Sequence, residues 1–262
     1  MFFRLSSLEL AAILFGITLA ATGIGHVAGR SLRPRVDGLR EPLAVMQTAL
    51  LGLVGLILAF GLALAVGRYE SRRATVVEEA NAIGTTYLRA QTLAEPVRSR
   101  SLERLIAYTD TSIRVAHAIP GSSGAKDALA DGQTLQRGLW SLAGQALAGA
   151  PTASAPRLYV ETLNDMIDQQ TVRVAALNNR VPPAVLWLEL ASAAMALGLL
   201  AFYLALLGRG IWTVLLAATL VSFLLLVTFD LDRPTRGLIT VPATALTDLR
   251  ASMDMAPAAS AP

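Results

Sequence analysis

The chain has 262 residues, of which 54% are hydrophobic and 16% are charged, and it contains no cysteine. The lack of cysteine excludes disulfides, cysteine-ligated metal sites and thiol catalysis. The net charge is only +3 and acidic residues are interspersed among the arginines, so no nucleic-acid partner is indicated and the composition favours a membrane protein.

Apolar residues cluster in four segments, each close to the roughly 20 residues that an α-helix needs to cross the hydrocarbon core of a bilayer. The first segment could also be read as a signal peptide with Arg4 as its basic region. Glu9 argues against that reading, because it stands where the apolar region of a signal would begin. We therefore expect four spans, at about 10–28, 44–66, 184–207 and 211–229.

The polar region between the second and third apolar segments is predicted to form four helices. The first continues from the second span without an intervening proline and ends before Pro96, which cannot continue helical hydrogen bonding. The turn-forming PGSSG (120–124) and the low-complexity GAPTASAP (149–156) separate the later helices. The expected helices are 68–93, 96–118, 126–148 and 157–179.

These segments predict an all-α membrane protein in which four transmembrane helices, arranged in two pairs, flank a helical soluble domain. No strand pattern and no internal repeat is visible in the sequence. The expected divisions are an N-terminal membrane pair (1–67), a soluble four-helix domain (68–182), a C-terminal membrane pair (183–230) and a short segment with a disordered tail (231–262).

An even number of spans places both termini and the helical domain on one side of the membrane. Eight arginines near span ends lie on that side and five on the other, so the positive-inside rule favours a cytoplasmic helical domain. Lys126 is the single lysine, a bias typical of a GC-rich bacterial genome, and we expect the bacterial cytoplasmic (inner) membrane. The eight are Arg4, Arg68, Arg72, Arg73, Arg173, Arg180, Arg233 and Arg236, and the five are Arg30, Arg33, Arg35, Arg40 and Arg209.

A group of charged residues is expected at the membrane face on the side of the helical domain. Charges near hydrocarbon are costly and usually face a bundle interior or a watery cavity. The group could line a polar vestibule, or it could make interfacial ion pairs with a structural role. Its members are Glu9, Arg68, Glu189 and Asp230, of which Glu189 is the deepest.

The second span carries two neighbouring stripes. Small residues recur at every fourth position from Gly55 to Gly67, a spacing that allows another helix to approach closely. The large residues beside them could narrow the centre of an oligomer and gate a pore by dewetting, or both stripes could contact other helices or lipid. The pore-neck candidates are Leu56, Phe60 and Leu64.

The helix that follows the second span has an apolar face, which includes Val76, Ile83 and Tyr87, and a second face that is polar but not uniformly charged. The polar face could hydrogen-bond to a partner helix, to a symmetry-related subunit or along a hydrated path. Alternatively, the helix only couples the soluble domain to the span. The polar face consists of Glu78, Asn81, Thr85 and Arg89.

No catalytic, cofactor-binding or metal-binding set emerges from the sequence. His26 and His117 lie in different layers, and no metal-ligand spacing is present. The glycine-rich GIGHVAG (23–29) ends a span instead of following a strand, so a nucleotide-binding role has no support and close helix contact is expected there. We expect a protein that is not an enzyme.

Several motifs identify the chain as similar to a known family. RYESRRATVVEEANAIGTTYLRA (68–90) followed by LAEPVR (93–98), together with LNNRVP (177–182) and LDRPTRGLI (231–239), resembles a bestrophin-like family of bacterial membrane proteins. That family is catalogued mainly as a domain of unknown function. The resemblance covers nearly the whole chain.

The resemblance implies a fold and an activity. Bestrophins proper are homopentameric anion channels with four spans, a cytosolic helical region and a hydrophobic neck in the second span. Carried over by position, the neck would be formed by Leu56, Phe60 and Leu64, the assembly would be a homo-oligomer in the bilayer, and the permeant species would be chloride or other small anions. The chain lacks the dense acidic calcium-binding cluster after the last span, where only Asp230 and Asp232 stand, so calcium gating is not carried over.

Two other classes of function remain as alternatives to a channel. A non-conducting membrane scaffold or sensor would use the helical domain to bind a partner or ligand. An intramembrane enzyme has the least support, because no nucleophile–base pair appears in the sequence.

Overall fold

The computed structural model describes residues 5–35 and 40–256, and the regular structure within these ranges is entirely helical. The prediction of an all-α fold is confirmed. Four helical stretches, containing α1, α2, α6 and α7, are long and apolar enough to cross a membrane. The helices are α1 (Ser7–Leu32), a 3-10 turn (Arg33–Arg35), α2 (Arg40–Ala90), α3 (Val97–His117), α4 (Ser123–Gly149), α5 (Ser154–Asn178), α6 (Pro183–Leu206), α7 (Trp212–Leu231) and α8 (Thr244–Ser252).

Helix α2 is a single α-helix of 51 residues. Its first half holds the uncharged run from 44 to 66, and its second half holds the charged motif at 68–90. No proline interrupts it after Pro42 in its first turn, so the backbone hydrogen bonds continue across the change in composition. The arrangement of the four spans in two pairs stays a prediction.

The chain divides into two compact units. The membrane unit comprises residues 1–69 and 180–240, and the helical unit comprises residues 70–179 and 241–262. The disordered tail expected at the C-terminus falls mainly on residues 257–262, which lie outside the described residues.

The membrane unit is built on close contact between α1 and α6. A Cβ placed on Gly25 would collide with the backbone carbonyl of Gly198, and one on Gly29 would collide with that of Phe202. The glycines in GIGHVAG therefore allow the two backbones to touch, as the sequence led us to expect. Around this contact the buried apolar side chains include Leu10, Leu14, Leu58, Leu186, Leu190, Leu225 and Phe229.

The helical unit joins the second half of α2 with α3, α4, α5 and α8. Its core residues include Val76, Ile83, Leu105, Tyr108, Leu139, Leu163, Met166 and Leu246. Helix α8 is an addition that the sequence analysis did not foresee. Its Leu246 is fully buried, and Tyr87 on α2 donates a hydrogen bond to the carbonyl of Met253 just beyond its end, at 3.2 Å.

Candidate functional site

The pore-neck candidates lie on an open face of α2 in the membrane unit. Leu56, Phe60 and Leu64 are 53%, 63% and 48% exposed. The opposite face of the same segment is buried, with Leu58 and Ala65 in contact with the rest of the unit. The membrane unit therefore presents a row of large apolar side chains that the described residues leave uncovered.

The small-residue stripe beside them is also open in the membrane unit. A Cβ built on Gly55 or Gly67 would have no atom of the described residues within 4 Å. Ala59 and Ala63, between these glycines, are likewise exposed. Among the described residues, therefore, no other helix approaches this stripe closely.

A different glycine on α2, Gly61, makes the close contact inside the unit. A Cβ on Gly61 would collide with the carboxyl group of Glu189 on α6. Glu189 is completely buried, and neither of its carboxyl oxygens has a hydrogen-bond donor among the residues described. The deepest acidic residue of the predicted cluster is therefore enclosed between helices of the membrane unit.

The other acids of the predicted cluster have environments of their own. Glu9 is exposed and accepts hydrogen bonds from the backbone N–H of Ser6 at 2.7 Å and from its hydroxyl at 2.9 Å. The Ser6 hydroxyl in turn accepts a bond from the backbone N–H of Glu9, so the two residues form a capping box for α1. The capping box thus gives Glu9 a structural role at the start of α1 that does not involve a vestibule.

Asp230, near the end of α7, directly precedes the LDRPTRGLI turn (231–239) and is bonded to it. It accepts hydrogen bonds from the backbone N–H of Ile239 at 2.9 Å and from the Ser7 hydroxyl at 3.3 Å, and it lies 3.7 Å from the guanidinium of Arg233. Arg233 donates to the carbonyl of Leu5. This turn therefore joins the end of α7 to the start of α1.

Asp232, the acidic residue within the turn, is buried and makes a separate contact. Its carboxylate accepts a bond from the backbone N–H of Val181, in the LNNRVP motif, at 3.1 Å. Two of the motifs that contributed to the family resemblance, LNNRVP and LDRPTRGLI, are thus in direct contact. Within the described part of the chain, no three His, Asp or Glu side chains are arranged to hold a metal ion.

Arg72, one of the arginines just after the second span, is buried in the helical unit. Its guanidinium donates to the carbonyl of Asn179 at 2.8 Å and to that of Ala176 at 3.3 Å. These carbonyls belong to the C-terminal end of α5, where the regular i to i+4 hydrogen bonds of a helix run out. Arg72 therefore caps α5, and its positive charge faces the negative end of the helix dipole.

The most buried charges of the helical unit form an ion pair that sequence reasoning missed. Glu79 on α2 pairs with Arg173 on α5. Glu79 also accepts a hydrogen bond from the Ser112 hydroxyl at 3.1 Å, and Arg173 donates to the Ser112 carbonyl at 3.2 Å. Burial and the Glu79 carboxylate raise the pKa of nearby Tyr108. The spacing could have indicated that Glu79 is buried, because it lies at i+3 from core residue Val76, but it does not identify the partner.

Three members of the predicted polar face, Glu78, Asn81 and Thr85, line one side of a groove in the helical unit. The groove has a volume of about 550 Å³ and is open to solvent. None of the described residues that line it is basic. The opposite side is formed by α5, through Thr162, Asp165, Asp168, Gln169 and Val172.

Arg89, the fourth member of the polar face, contacts α5 instead of lining the groove. Its guanidinium donates to the carbonyl of Leu158 at 2.8 Å and lies 3.7 Å from the Glu161 carboxylate. The structure thus brings three of the four residues to one surface.

The fold and these contacts define a class: an all-helical membrane protein with four apolar helices long enough to span a bilayer and a compact helical unit. The Bestrophin-like domain family matches residues 10–246, and the chain belongs to that family. The resemblance noted in the sequence is confirmed. No functionally curated protein matches the sequence.

The chain is also similar to solved structures of a bacterial bestrophin homologue from Klebsiella pneumoniae. One single-residue variant of that protein superposes with a TM-score of 0.69 at 14% identity, over 92% of this chain and 97% of the other. A second variant gives 0.68 at 15% identity, over 95% and 97%. Identity this low establishes a shared fold, and function has to be argued from the residues of this chain.

Proposed function

We propose that the protein is a homo-oligomeric channel for small anions such as chloride in the bacterial inner membrane. Leu56, Phe60 and Leu64 of α2 form its neck, and the helical unit lies on the cytoplasmic side. The observation that carries this proposal is the row of large apolar side chains that α2 leaves exposed while its opposite face is buried. A ring of such side chains around a central axis would form a hydrophobic constriction that gates by dewetting.

The residues beside the neck suit an oligomer. A single protomer cannot enclose a pore with one exposed helix face, so several copies of α2 must surround the axis. The small-residue stripe from Gly55 to Gly67 lies next to the neck candidates, where it would let the helix of a neighbouring subunit approach closely.

Arg68 supports the proposed selectivity. It follows Leu64 by four residues, which is about one helical turn or 6 Å along α2. A ring of guanidinium groups at this distance from the constriction would raise the local concentration of anions. The arginines expected near the other membrane face would act in the same direction.

The test is ion flux through purified protein in liposomes, with empty liposomes as the baseline. The wild-type chain is compared with Phe60→Ala and with Phe223→Ala on α7. Phe223 is the matched control because it is 60% exposed, close to the 63% of Phe60, but lies outside the proposed neck. We expect chloride flux to rise in Phe60→Ala and to stay at the wild-type level in Phe223→Ala.

The reversal potential under a sodium chloride gradient tests the sign of the permeant ion. A reversal potential near the equilibrium potential of chloride supports the proposal. A reversal potential near the equilibrium potential of sodium would show that the channel selects cations and would contradict anion selectivity. Equal chloride flux through the two phenylalanine variants would contradict the assignment of Phe60 to the neck.

The groove of the helical unit favours a second candidate, a membrane scaffold or sensor. Its acidic and amide side chains, including Glu78 and Asn81, could hydrogen-bond to a partner of basic character. Folded, oligomeric protein that gives no flux in any variant would support this candidate over the channel.

A further inference from the structure

Glu189 has a setting that a pore-lining role does not explain. It lies on α6, and its side chain is fully enclosed within the membrane unit. Both carboxyl oxygens lack a hydrogen-bond donor among the residues that the structure describes. Its carboxyl group lies against the backbone of α2 at Gly61, where a Cβ would collide with it.

The helices around Glu189 offer it no countercharge. Helix α6 carries no other acidic or basic side chain, and its other titratable group, Tyr203, lies 14 residues further on. On α7 the charged residue is Asp230, which is engaged by Arg233 and by the N–H of Ile239. Apolar side chains of α1, α2, α6 and α7 form the buried core of this unit, and the uncharged Ser192 of α6 donates its hydroxyl to the backbone carbonyl of Glu189.

The remaining titratable groups on α1 and on the membrane part of α2 lie elsewhere along those helices. Glu9 is exposed in its capping box at the start of α1. His26 neighbours Gly25, which contacts Gly198, nine residues beyond Glu189 on α6. Arg68 and Tyr69 follow Gly61 by about two turns of α2. Arg30 at the end of α1, and Arg40 and Glu41 at the start of α2, complete the set.

An ionised carboxylate without a partner is very costly to keep in apolar surroundings. A proton removes this charge and turns the group into a neutral carboxylic acid of nearly the same size. The missing side chain of Gly61 provides the space in which that neutral group rests against α2. The burial of Glu189 without a countercharge and the space at Gly61 both favour the protonated carboxylic acid.

We propose that Glu189 is a proton-binding site of the membrane unit, held against the backbone of α2 at Gly61. Loss of the proton leaves a carboxylate that needs water or a cation, and either would have to enter between α6 and α2. Because Phe60 precedes Gly61 in α2, separation of the two helices moves the neck residue. This last consequence rests on the proposed channel function, whereas the proton site itself does not.

The direct test is infrared difference spectroscopy of the full-length protein in liposomes at neutral pH. The C=O stretch of a protonated carboxylic acid is compared in the wild type, Glu189→Gln and Glu9→Gln, the last being a control at an exposed acid. We expect Glu189→Gln to lose one such band and Glu9→Gln to retain it. A band unchanged in Glu189→Gln would overturn the proposal.

The pH dependence of thermal stability in detergent is a second readout that does not need conduction. A proton held by the folded protein and released by the unfolded chain makes stability fall as pH rises. We expect the Tm of the wild type to fall with rising pH more steeply than that of Glu189→Gln. Parallel profiles, with the variant less stable throughout, would indicate an ionised Glu189 with a bound cation and would contradict the proposal.

Flux measurements separate this inference from the channel proposal. If the protein conducts, the pH dependence of chloride flux should weaken in Glu189→Gln and persist in Glu9→Gln. Conduction with the same pH dependence in all three proteins would refute the link between the proton and the neck. If the protein does not conduct, the channel proposal fails, while the infrared result still decides whether Glu189 holds a proton.

Discussion

Glu79 of α2 and Arg173 of α5 form an ion pair in the core of the helical unit, with side chains that are 1% and 2% exposed. Ser112 of α3 completes the contact by hydrogen-bonding to both partners. The pair therefore fixes α2, which carries the family motif, against two helices of the unit. Buried pairs of this kind are costly to break because the remaining charge has no access to water.

Removal of one partner should destabilise the helical unit strongly. Glu79→Gln leaves Arg173 buried and unpaired, and we expect a loss of about 3–5 kcal/mol. Its neighbour Glu78→Gln, on the exposed groove, serves as the control and should change stability little. Thermal unfolding in detergent, followed by helical circular dichroism, measures both.

A double variant tests whether the ion pair itself stabilises the helical unit, or whether the unit is destabilised only when one buried charge is left unpaired. Glu79→Leu combined with Arg173→Met should recover most of the stability that either substitution loses, because no charge stays unpaired. A double variant as unstable as the sum of the single ones would contradict this explanation.

Arg72 and Arg73 should differ despite their adjacent positions. Arg72→Ala removes the cap from the C-terminal carbonyls of α5 and should cost about 2 kcal/mol, as for hydrogen bonds from a charged donor. Arg73 forms an exposed pair with Glu70, and Arg73→Ala should cost at most about 1 kcal/mol. Chemical unfolding of the two variants compares them directly, and equal losses would show that Arg72 is not a cap.

The contact between α1 and α6 should tolerate no side chain at Gly25. Gly25→Ala places a Cβ against the carbonyl of Gly198, so the helices must separate and the membrane unit should lose stability. Gly23→Ala is the matched control, because a Cβ there meets no atom of the described residues within 4 Å. The control should be neutral, or stabilising by up to about 1 kcal/mol. A Tm unchanged in Gly25→Ala would contradict the close contact.

Helix α8 should contribute to the stability of the helical unit. Leu246→Ala removes a fully buried side chain from its core, and we expect a loss of about 2–5 kcal/mol. Leu238→Ala is the control, since Leu238 is 76% exposed. Proteolysis of the C-terminal segment should accelerate in the first variant only, and equal cleavage rates would show that α8 is not anchored by Leu246.

The sequence was sufficient for features that depend on local composition. Four long apolar runs predicted the candidate spans, and the uninterrupted helix-forming sequence from 44 to 90 predicted that α2 continues beyond the second span. GIGHVAG correctly indicated close helix contact. Each of these depends on residues near one another in the chain, so periodicity and composition contain the information.

Tertiary contacts explain what the sequence reasoning missed. Glu78 and Glu79 are adjacent in the sequence, but Glu78 lines the exposed groove and Glu79 forms a buried ion pair. The difference depends on Arg173, which lies 94 residues away in the chain and could not be identified as the partner from local sequence. Likewise, Gly61 is one of several small residues on α2, and its distinctive role depends on Glu189. The position of α8 depends on contacts far apart in the sequence, among them the buried Leu246 and the ion pair of Arg250 with Asp110 on α3.

The central claim is that α2 lines a pore, and the absence of native cysteine allows a direct test. Phe60→Cys and Phe223→Cys each introduce a single thiol, and each protein is treated in liposomes with a charged, membrane-impermeant thiol reagent while chloride flux is recorded. If Phe60 lies in the neck, the reagent should block flux through Phe60→Cys and leave Phe223→Cys unaffected. Flux through Phe60→Cys that continues after confirmed labelling of the thiol would contradict a pore lined by α2.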